Sequence, residues 1–290
     1  MWRDLIKVVR PQQWLKNSVV LAAIVFAGEL GDSAKLEHAL LATGLFCLLS
    51  SAMYVFNDII DRAKDRRHPL KKDRPLASGR LAVAPAAALG FALIVIGLGG
   101  SSWLGGGFFA ASAAFLALNV AYSMLLKDVV ILDAMTVAIS FVLRAYAGAI
   151  AIDVAASKWL LINTLLLALF LSFGKRRHEL VLLDSDATAH RRILGKYSPY
   201  LLDQCIGVTT ASVVVMYMLY SFSSEVMDKL GTHNLFLTIP FVVYGVFRYL
   251  YLIHKEEKGG SPMRVLITDR PILITVTLWI LTVMAVLYWV

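Results

Sequence analysis

Charge is scarce in this sequence. Of its 290 residues only 17% are charged and 59% are hydrophobic, and a water-soluble domain of ordinary composition is far more polar. Stretches of about 20 mostly apolar residues, enough to cross a bilayer, use up most of the chain. No run is left to build a separate soluble domain, a solenoid of repeats, a long disordered tail or a helix that reads DNA. Cysteine is nearly absent as well. Cys47 and Cys205 both fall in or beside apolar stretches, which argues against a disulfide framework or a Cys-rich metal site. The first apolar run ends in Glu29-Leu30-Gly31-Asp32 without a clear small-residue cleavage site, so it reads as an uncleaved helix and not as a signal peptide. Acidic residues are outnumbered by basic ones, 20 to 28, leaving a formal charge of +8. In a membrane chain that excess reports topology and anionic lipids or substrates, and nucleic acid is not an expected partner.

What is present is an all-α, polytopic pattern of nine transmembrane helices, at roughly 17–31, 39–58, 83–104, 107–126, 129–152, 158–175, 204–223, 234–254 and 271–290. Residues 1–16 precede them as a cytoplasmic interfacial segment. There Trp2, Leu5, Ile6 and Val9 share one helical face, Arg3, Lys7 and Arg10 share another, and Pro11 stops the helix. The whole of 1–290 is expected to form one integral-membrane domain. Its basic residues alternate sharply. Four precede the first span, eight lie in 59–82, six in 175–203 and four in 255–270, with Lys127 in the remaining loop on that side. The opposite loops hold only Lys35, Lys158 and Lys229. The asymmetry predicts a multi-pass protein of the cell membrane with a cytoplasmic N-terminus and basic loops, and an external C-terminus.

Two basic residues fall inside spans. A charge at mid-membrane costs roughly 2.5–3.5 kcal/mol on insertion scales and normally faces a polar cavity or a partner. Arg144 lies near the middle of the fifth span, with Asp133 and Ser140 on nearly the same face, so a polar stripe is expected there. Arg248 lies close enough to a cytoplasmic end for snorkelling to explain it.

The segment richest in chemistry is Asn57-Asp58-Ile59-Ile60-Asp61-Arg62-Ala63-Lys64-Asp65, at the cytoplasmic end of the second span. On a continuous helix Asp58, Asp61 and Asp65 lie within about 60° of one another around the axis. Like charges so placed are either solvated and paired with Arg62 and Lys64, or they gather a hard cation. Mg²⁺ is typically held by one or two carboxylates together with substrate phosphate oxygens. Arg66, Arg67, Lys71, Lys72, Arg74 and Arg80 follow directly and suit an anionic substrate. A loop that merely fixes topology accounts for the Lys and Arg but leaves the Asp face unexplained.

The Asn57-Asp58-x-x-Asp61-x-x-x-Asp65 run after a second transmembrane helix resembles the first aspartate motif of the UbiA superfamily of intramembrane prenyltransferases. The resemblance extends over essentially the whole chain. It implies nine helices around a cavity open to the cytoplasm, with Asn57, Tyr122 and Lys127 at the site. The sequence departs from the usual pattern after the sixth span. A second acidic motif, Asp-x-x-x-Asp, is common there, whereas this chain reads Gly174-Lys175-Arg176-Arg177-His178-Glu179, with Asp184 and Asp186 at another spacing. With Arg10-Pro11-Gln12-Gln13-Trp14-Leu15-Lys16-Asn17 and Asp65-Arg66-Arg67-His68-Pro69, this is similar to the branch that takes 5-phosphoribosyl diphosphate (PRPP) and a polyprenyl phosphate such as decaprenyl phosphate.

That resemblance implies transfer of 5-phosphoribose to the lipid phosphate with release of diphosphate. Asp58 and Asp61 are expected to hold Mg²⁺ with Asp65 assisting. Lys175 and Arg176 are expected to hold phosphates, and Glu179 to orient them or contact a ribose hydroxyl. Lys16, Asn57, Arg74, Tyr122, Lys127 and Arg144 complete the substrate site. Three anionic groups meeting in one reaction need many cations, which favours this branch over aromatic prenyl transfer. The bland alternative for Lys175-Arg176-Arg177 is a stop-transfer cluster, with Glu179 simply pairing to Lys175 one turn away. Two rivals stay open. One is a prenyltransferase using prenyl diphosphate and an aromatic or other acceptor. The other is an anionic-solute transporter, hinted at by the glycines between Gly97 and Gly107, which more simply mark a turn. Membrane lipids are the expected surroundings, and a homo-oligomer is compatible with the sequence.

Overall fold

The computed structural model describes residues 2–67, 71–183, 192–256 and 259–289. Among them all regular structure is helical. The chain begins with α1 (Trp2–Val9), a 3-10 helix (Pro11–Leu21) and the short α2 (Ala22–Phe26). It continues through α3 (Ser33–Ile60), α4 (Arg62–Asp65), α5 (Val83–Trp103), α6 (Gly106–Met124), α7 (Leu132–Ala151) and α8 (Lys158–Leu183). It ends with α9 (Pro199–Ser221), α10 (Ser224–Leu230), α11 (Ile239–His254), α12 (Pro262–Thr268) and α13 (Arg270–Tyr288).

Eight helical segments among the described residues are long and apolar enough to cross a membrane, at 33–60, 83–103, 106–124, 132–151, 158–181, 199–221, 234–254 and 270–288. The segment expected as a further crossing, 17–31, differs. A 3-10 helix runs to Leu21, α2 adds five residues, and Gly28 then takes φ 76°, ending the helical run. The backbone here lies directly against α7, because a Cβ on Gly148 would fall 2.0 Å from the Val20 carbonyl oxygen. The expected segment is thus a 3-10 helix running into a short α-helix and not the single α-helix of a regular crossing.

Local signals explain the other boundaries. The Asp32 carboxylate accepts hydrogen bonds from the backbone N–H groups of Ala34 and Lys35 at 2.9 and 3.1 Å, capping α3 well before residue 39. Ser198 and Asp269 cap α9 and α13 in the same way. Close packing of α3 on α5 depends on Gly97, where a Cβ would stand 2.5 Å from Leu49.

The chain divides into two compact units, Met1–Lys127 with Leu143–Ala156, and Asp128–Val142 with Ser157–Val290. In the first, Phe46 packs edge-on to Phe108 and Phe115 at 5.8 and 5.1 Å, within a cluster containing Val20, Leu49 and Ala147. In the second, Phe170 meets Tyr249 at 5.4 Å among Phe173, Leu202, Ile206 and Ile253. The apolar windows of α3 and α7 are 61% and 56% buried, against 22% for α5 and α13. The two most enclosed helices are those that carry Asp58, Asp133 and Arg144. Exposed Phe91, Ile96, Val208 and Ile274 suit contact with lipid chains.

Candidate functional site

The cytoplasmic end of α3 supplies the first group of site residues. Its helical turns stop at Ile60, and Asp61 leaves helical geometry (φ −86°, ψ 3°) before α4 begins. The single shared face expected for the three aspartates therefore does not form. Asp58 and Asp65, both buried, converge on Arg74, whose Nη1 donates to Asp58 Oδ1 at 3.0 Å and to Asp65 Oδ2 at 2.6 Å. Asp61 turns away and accepts from Lys127 Nζ at 2.9 Å. Among the described residues no three His, Cys, Asp or Glu side chains gather as a metal site. The donor chemistry nevertheless suits Mg²⁺, which takes hard oxygen ligands and needs only one or two carboxylates beside phosphate oxygens.

Arg10 reaches the same acid from the N-terminal segment. Its backbone is left-handed (φ 54°), its Nη2 lies 2.5 Å from Asp58 Oδ1, and its guanidinium covers the Tyr54 ring at 5.1 Å. Burial pulls its pKa below the ordinary value, while Asp58 acts in the opposite sense. Asn57 accepts a hydrogen bond from the Ser123 hydroxyl, tying α3 to α6. Two of the loop arginines expected to greet an anion are engaged differently. Arg62 Nε donates to Leu76 O at 3.2 Å and Arg66 Nε to Ala77 O at 2.9 Å, which pins the segment bearing Arg74.

Lys16 stands apart from these pairs. It is half-buried and makes no hydrogen bond or ion pair with another described residue. Burial lowers its pKa to about 8, with the neighbouring cations Arg144 and Arg10 adding to the effect and Tyr122 opposing it. Arg144 is buried inside the first unit, as its mid-span position demanded. Its Nε donates to Asn17 Oδ1 at 2.8 Å, its Nη2 lies 3.4 Å from Ser50 Oγ, and it covers the Phe115 ring at 4.6 Å.

Asp133, Lys175, Arg176 and Glu179 lie in the second unit. Asp133 is fully buried and accepts from Arg176 Nε and from Tyr197 Oη, each at 2.6 Å. The Tyr197 hydroxyl in turn accepts from Ile131 N–H at 2.7 Å, and Ile131 is a β-branched residue at φ 68°. Burial and the bond to Asp133 push the Tyr197 pKa upward, so its hydroxyl stays protonated. Glu179 lies 3.6 Å from both Lys175 Nζ and Arg176 Nη1, beyond good hydrogen-bond length. Arg176, expected to grip a phosphate, is only 3% exposed and bound to Asp133. The spacing could not show this, because the carboxylate partner is 43 residues away on another helix. Asp133 and Arg144 were expected to form one stripe, yet each serves a separate network.

Arg177 binds Asp203 at 2.5 Å, and His254 Nε2 lies 3.2 Å from the same carboxylate oxygen. Arg248, expected to snorkel, pairs with Asp269 at 2.8 Å. His68, Pro69, Asp184 and Asp186 lie outside the described residues. Arg10 and Asn17 entered the sequence analysis only as the ends of the run 10–17, without a role at the site, and Ser50 and Tyr197 did not enter it.

A profile described as the UbiA prenyltransferase family matches residues 18–267. Decaprenyl-phosphate phosphoribosyltransferase of Mycolicibacterium smegmatis is 33% identical over 98% of this chain and 92% of its own length. The protein of that name from Corynebacterium glutamicum is 30% identical over 98% of this chain and 86% of its own. A UbiA homologue from Archaeoglobus fulgidus, solved bound to GPP and Mg²⁺, superposes with a TM-score of 0.74 at 20% identity, covering 98% of this chain and 99% of that one. At that identity the likeness is one of fold.

Proposed function

Because this chain belongs to the UbiA prenyltransferase family, we propose that it transfers 5-phosphoribose from PRPP to a polyprenyl phosphate of the decaprenyl class, releasing diphosphate. The observation that carries this reading is the density of cations around buried acids. Arg10 and Arg74 meet on Asp58, Lys127 on Asp61, and Lys16 has no anionic partner among the described residues. The two full-length relatives bearing the phosphoribosyltransferase name support the same branch. So does the sequence at 174–179, basic where the family commonly carries its second acidic motif.

In the proposed reaction the ribose C1–O bond to diphosphate breaks and a lipid phosphate oxygen bonds to C1. The acceptor is already ionised near neutral pH, so no strong general base is required, and positioning with charge neutralisation does the work. Asp58 and Asp65, which converge, and Asp61, one turn away, would hold Mg²⁺. When bound, the metal supplies positive charge to the leaving diphosphate. Lys16, Arg74, Lys127 and Lys175 bind phosphate groups, Arg144 fixes the N-terminal segment through Asn17, Asn57 and Tyr122 line the site, and Glu179 contacts a ribose hydroxyl. Arg176, expected at a phosphate, is instead bound to Asp133.

The proposed setting is the cell membrane, with the N-terminus, 59–82 and 175–203 cytoplasmic and the C-terminus outside, following the charge asymmetry. In this topology residues 17–31 make the ninth crossing and 1–16 lie at the interface. The test is an assay in membranes with PRPP and polyprenyl phosphate, run beside prenyl diphosphate and an aromatic acid. PRPP-dependent appearance of phosphoribosylated lipid with equimolar diphosphate is expected. Turnover of prenyl diphosphate without PRPP would instead establish the prenyltransferase reading.

A further inference from the structure

Arg74 offers a single nitrogen to two carboxylates. Asp58 Oδ1 and Asp65 Oδ2 both point at Nη1, at 3.0 and 2.6 Å, and the acid side chains are only 3% and 5% exposed. A divalent ion held by these two acids would draw on the same negative charge that the guanidinium now neutralises. The two cations would therefore compete for the pair, since like charges so close repel.

Arg74 is also built to leave. Its side chain is 29% exposed, while its backbone is held on both sides, by Arg74 N to Lys71 O at 3.0 Å and Ser78 N to Arg74 O at 2.9 Å. The Arg62 and Arg66 bonds to Leu76 O and Ala77 O secure the same segment. Rotation of the side chain alone releases Asp65 and leaves Asp58 with Arg10, whose Nη2 lies 2.5 Å from the same Oδ1, and the displaced cation stays tethered within reach of whatever anion arrives.

We propose that Arg74 is an exchangeable counter-cation: its guanidinium neutralises Asp58 and Asp65 until a divalent ion replaces it, and then binds a phosphate group of the incoming substrate. This rests on the reading above that the two acids hold a metal. Its consequence is thermodynamic coupling. The metal must displace Arg74 and so binds weakly alone, whereas an anion that captures the released guanidinium strengthens metal binding, and the metal strengthens anion binding by the same factor. A permanent structural ion pair has neither property.

The test measures Mn²⁺ binding to the full chain by electron paramagnetic resonance, with and without inorganic phosphate, a weak chelator. Wild type is expected to bind Mn²⁺ more tightly when phosphate is present. Arg74→Gln is expected to bind Mn²⁺ alone about tenfold more tightly than wild type and to lose the gain from phosphate. Arg74→Lys, which keeps the charge on a flexible stem, is expected to retain part of the gain and serves as the comparison should Arg74→Gln fold poorly. Unchanged or weaker Mn²⁺ binding by Arg74→Gln, or an undiminished phosphate effect in both variants, overturns the exchange. Absence of Mn²⁺ binding by wild type, with or without phosphate, overturns the metal reading itself.

Discussion

In the first unit the guanidinium of Arg74 meets Asp58 and Asp65 with 29% of its side chain exposed, and in the second that of Arg176 meets Asp133 at 3% exposure. Both are charge-assisted contacts between arginine and a buried acid. Their surroundings differ in kind. Asp133 also receives the Tyr197 hydroxyl, which is itself held by a backbone N–H, so each partner is fixed by something else. Among the described residues Asp58 is contacted by two cations, Arg10 and Arg74, that arrive from outside its own helix. A fully enclosed pair of this type specifies geometry, whereas a half-open one remains available for ligand exchange.

The largest effect expected from this contrast is at the open site. Asp58→Asn and Asp61→Asn should each lower PRPP-dependent turnover by about a thousandfold, since an amide keeps the shape but loses the charge that holds a metal. The variants should remain inserted and folded, and EDTA should abolish wild-type turnover. Full activity in either variant, or in excess chelator, would remove the metal from the mechanism.

At the closed site the main loss should be in stability. Asp133→Asn strands the Arg176 guanidinium and is expected to destabilise the fold by about 3–5 kcal/mol, the range for breaking a buried ion pair. Arg74→Gln should lose only about 1 kcal/mol. Reversible unfolding of both variants in the same detergent ranks them, and equal losses would end the distinction between the two sites. Tyr197→Phe should fall between, at about 1–3 kcal/mol, because one lost hydroxyl leaves both Asp133 and the Ile131 N–H short of a partner. Ile131→Gly should relieve the left-handed backbone and recover part of that loss.

How much of this was legible in sequence follows the range of each interaction. Hydropathy is a local property, and it located α3, α5 to α9, α11 and α13, although α3 starts six residues before the expected span and α8 ends eight residues after it. Composition could not reveal that 17–31 begins as a 3-10 helix, or that Val20 lies against Gly148 across the fold. The Asp58, Asp61 and Asp65 motif was legible as a motif, yet its geometry turned on one local event, the break at Asp61, which sends one acid to Lys127 and two to Arg74. Arg144 was correctly expected to avoid lipid, since burial of charge follows from position alone. Its partners Asn17 and Ser50, like the Asp133 partner of Arg176, are joined across long separations and leave no trace in spacing.

The smallest expected effect sharpens the contrast from Lys16, a half-buried cation with no ion pair to another described residue. The Lys16 ammonium titrates at about 8 instead of its ordinary 10.5, chiefly through burial and then through repulsion by Arg144 and Arg10. Between those values the folded protein has released a proton that the unfolded chain keeps, so this group's contribution makes the fold more stable as pH rises from about 8 towards 10.5. Phosphate affinity must move the opposite way, because deprotonation removes the charge that binds the anion. We therefore expect kcat/KM for PRPP to fall by about tenfold as pH climbs through 8, the loss of one charge-assisted contact. Bound anion holds the proton on Lys16, so kcat at saturation should fall only at higher pH. Lys16→Arg keeps its charge across this range and should flatten the kcat/KM profile. If the profile of Lys16→Arg falls at the same pH as wild type, another group is responsible, and Lys16 does not contact the phosphate.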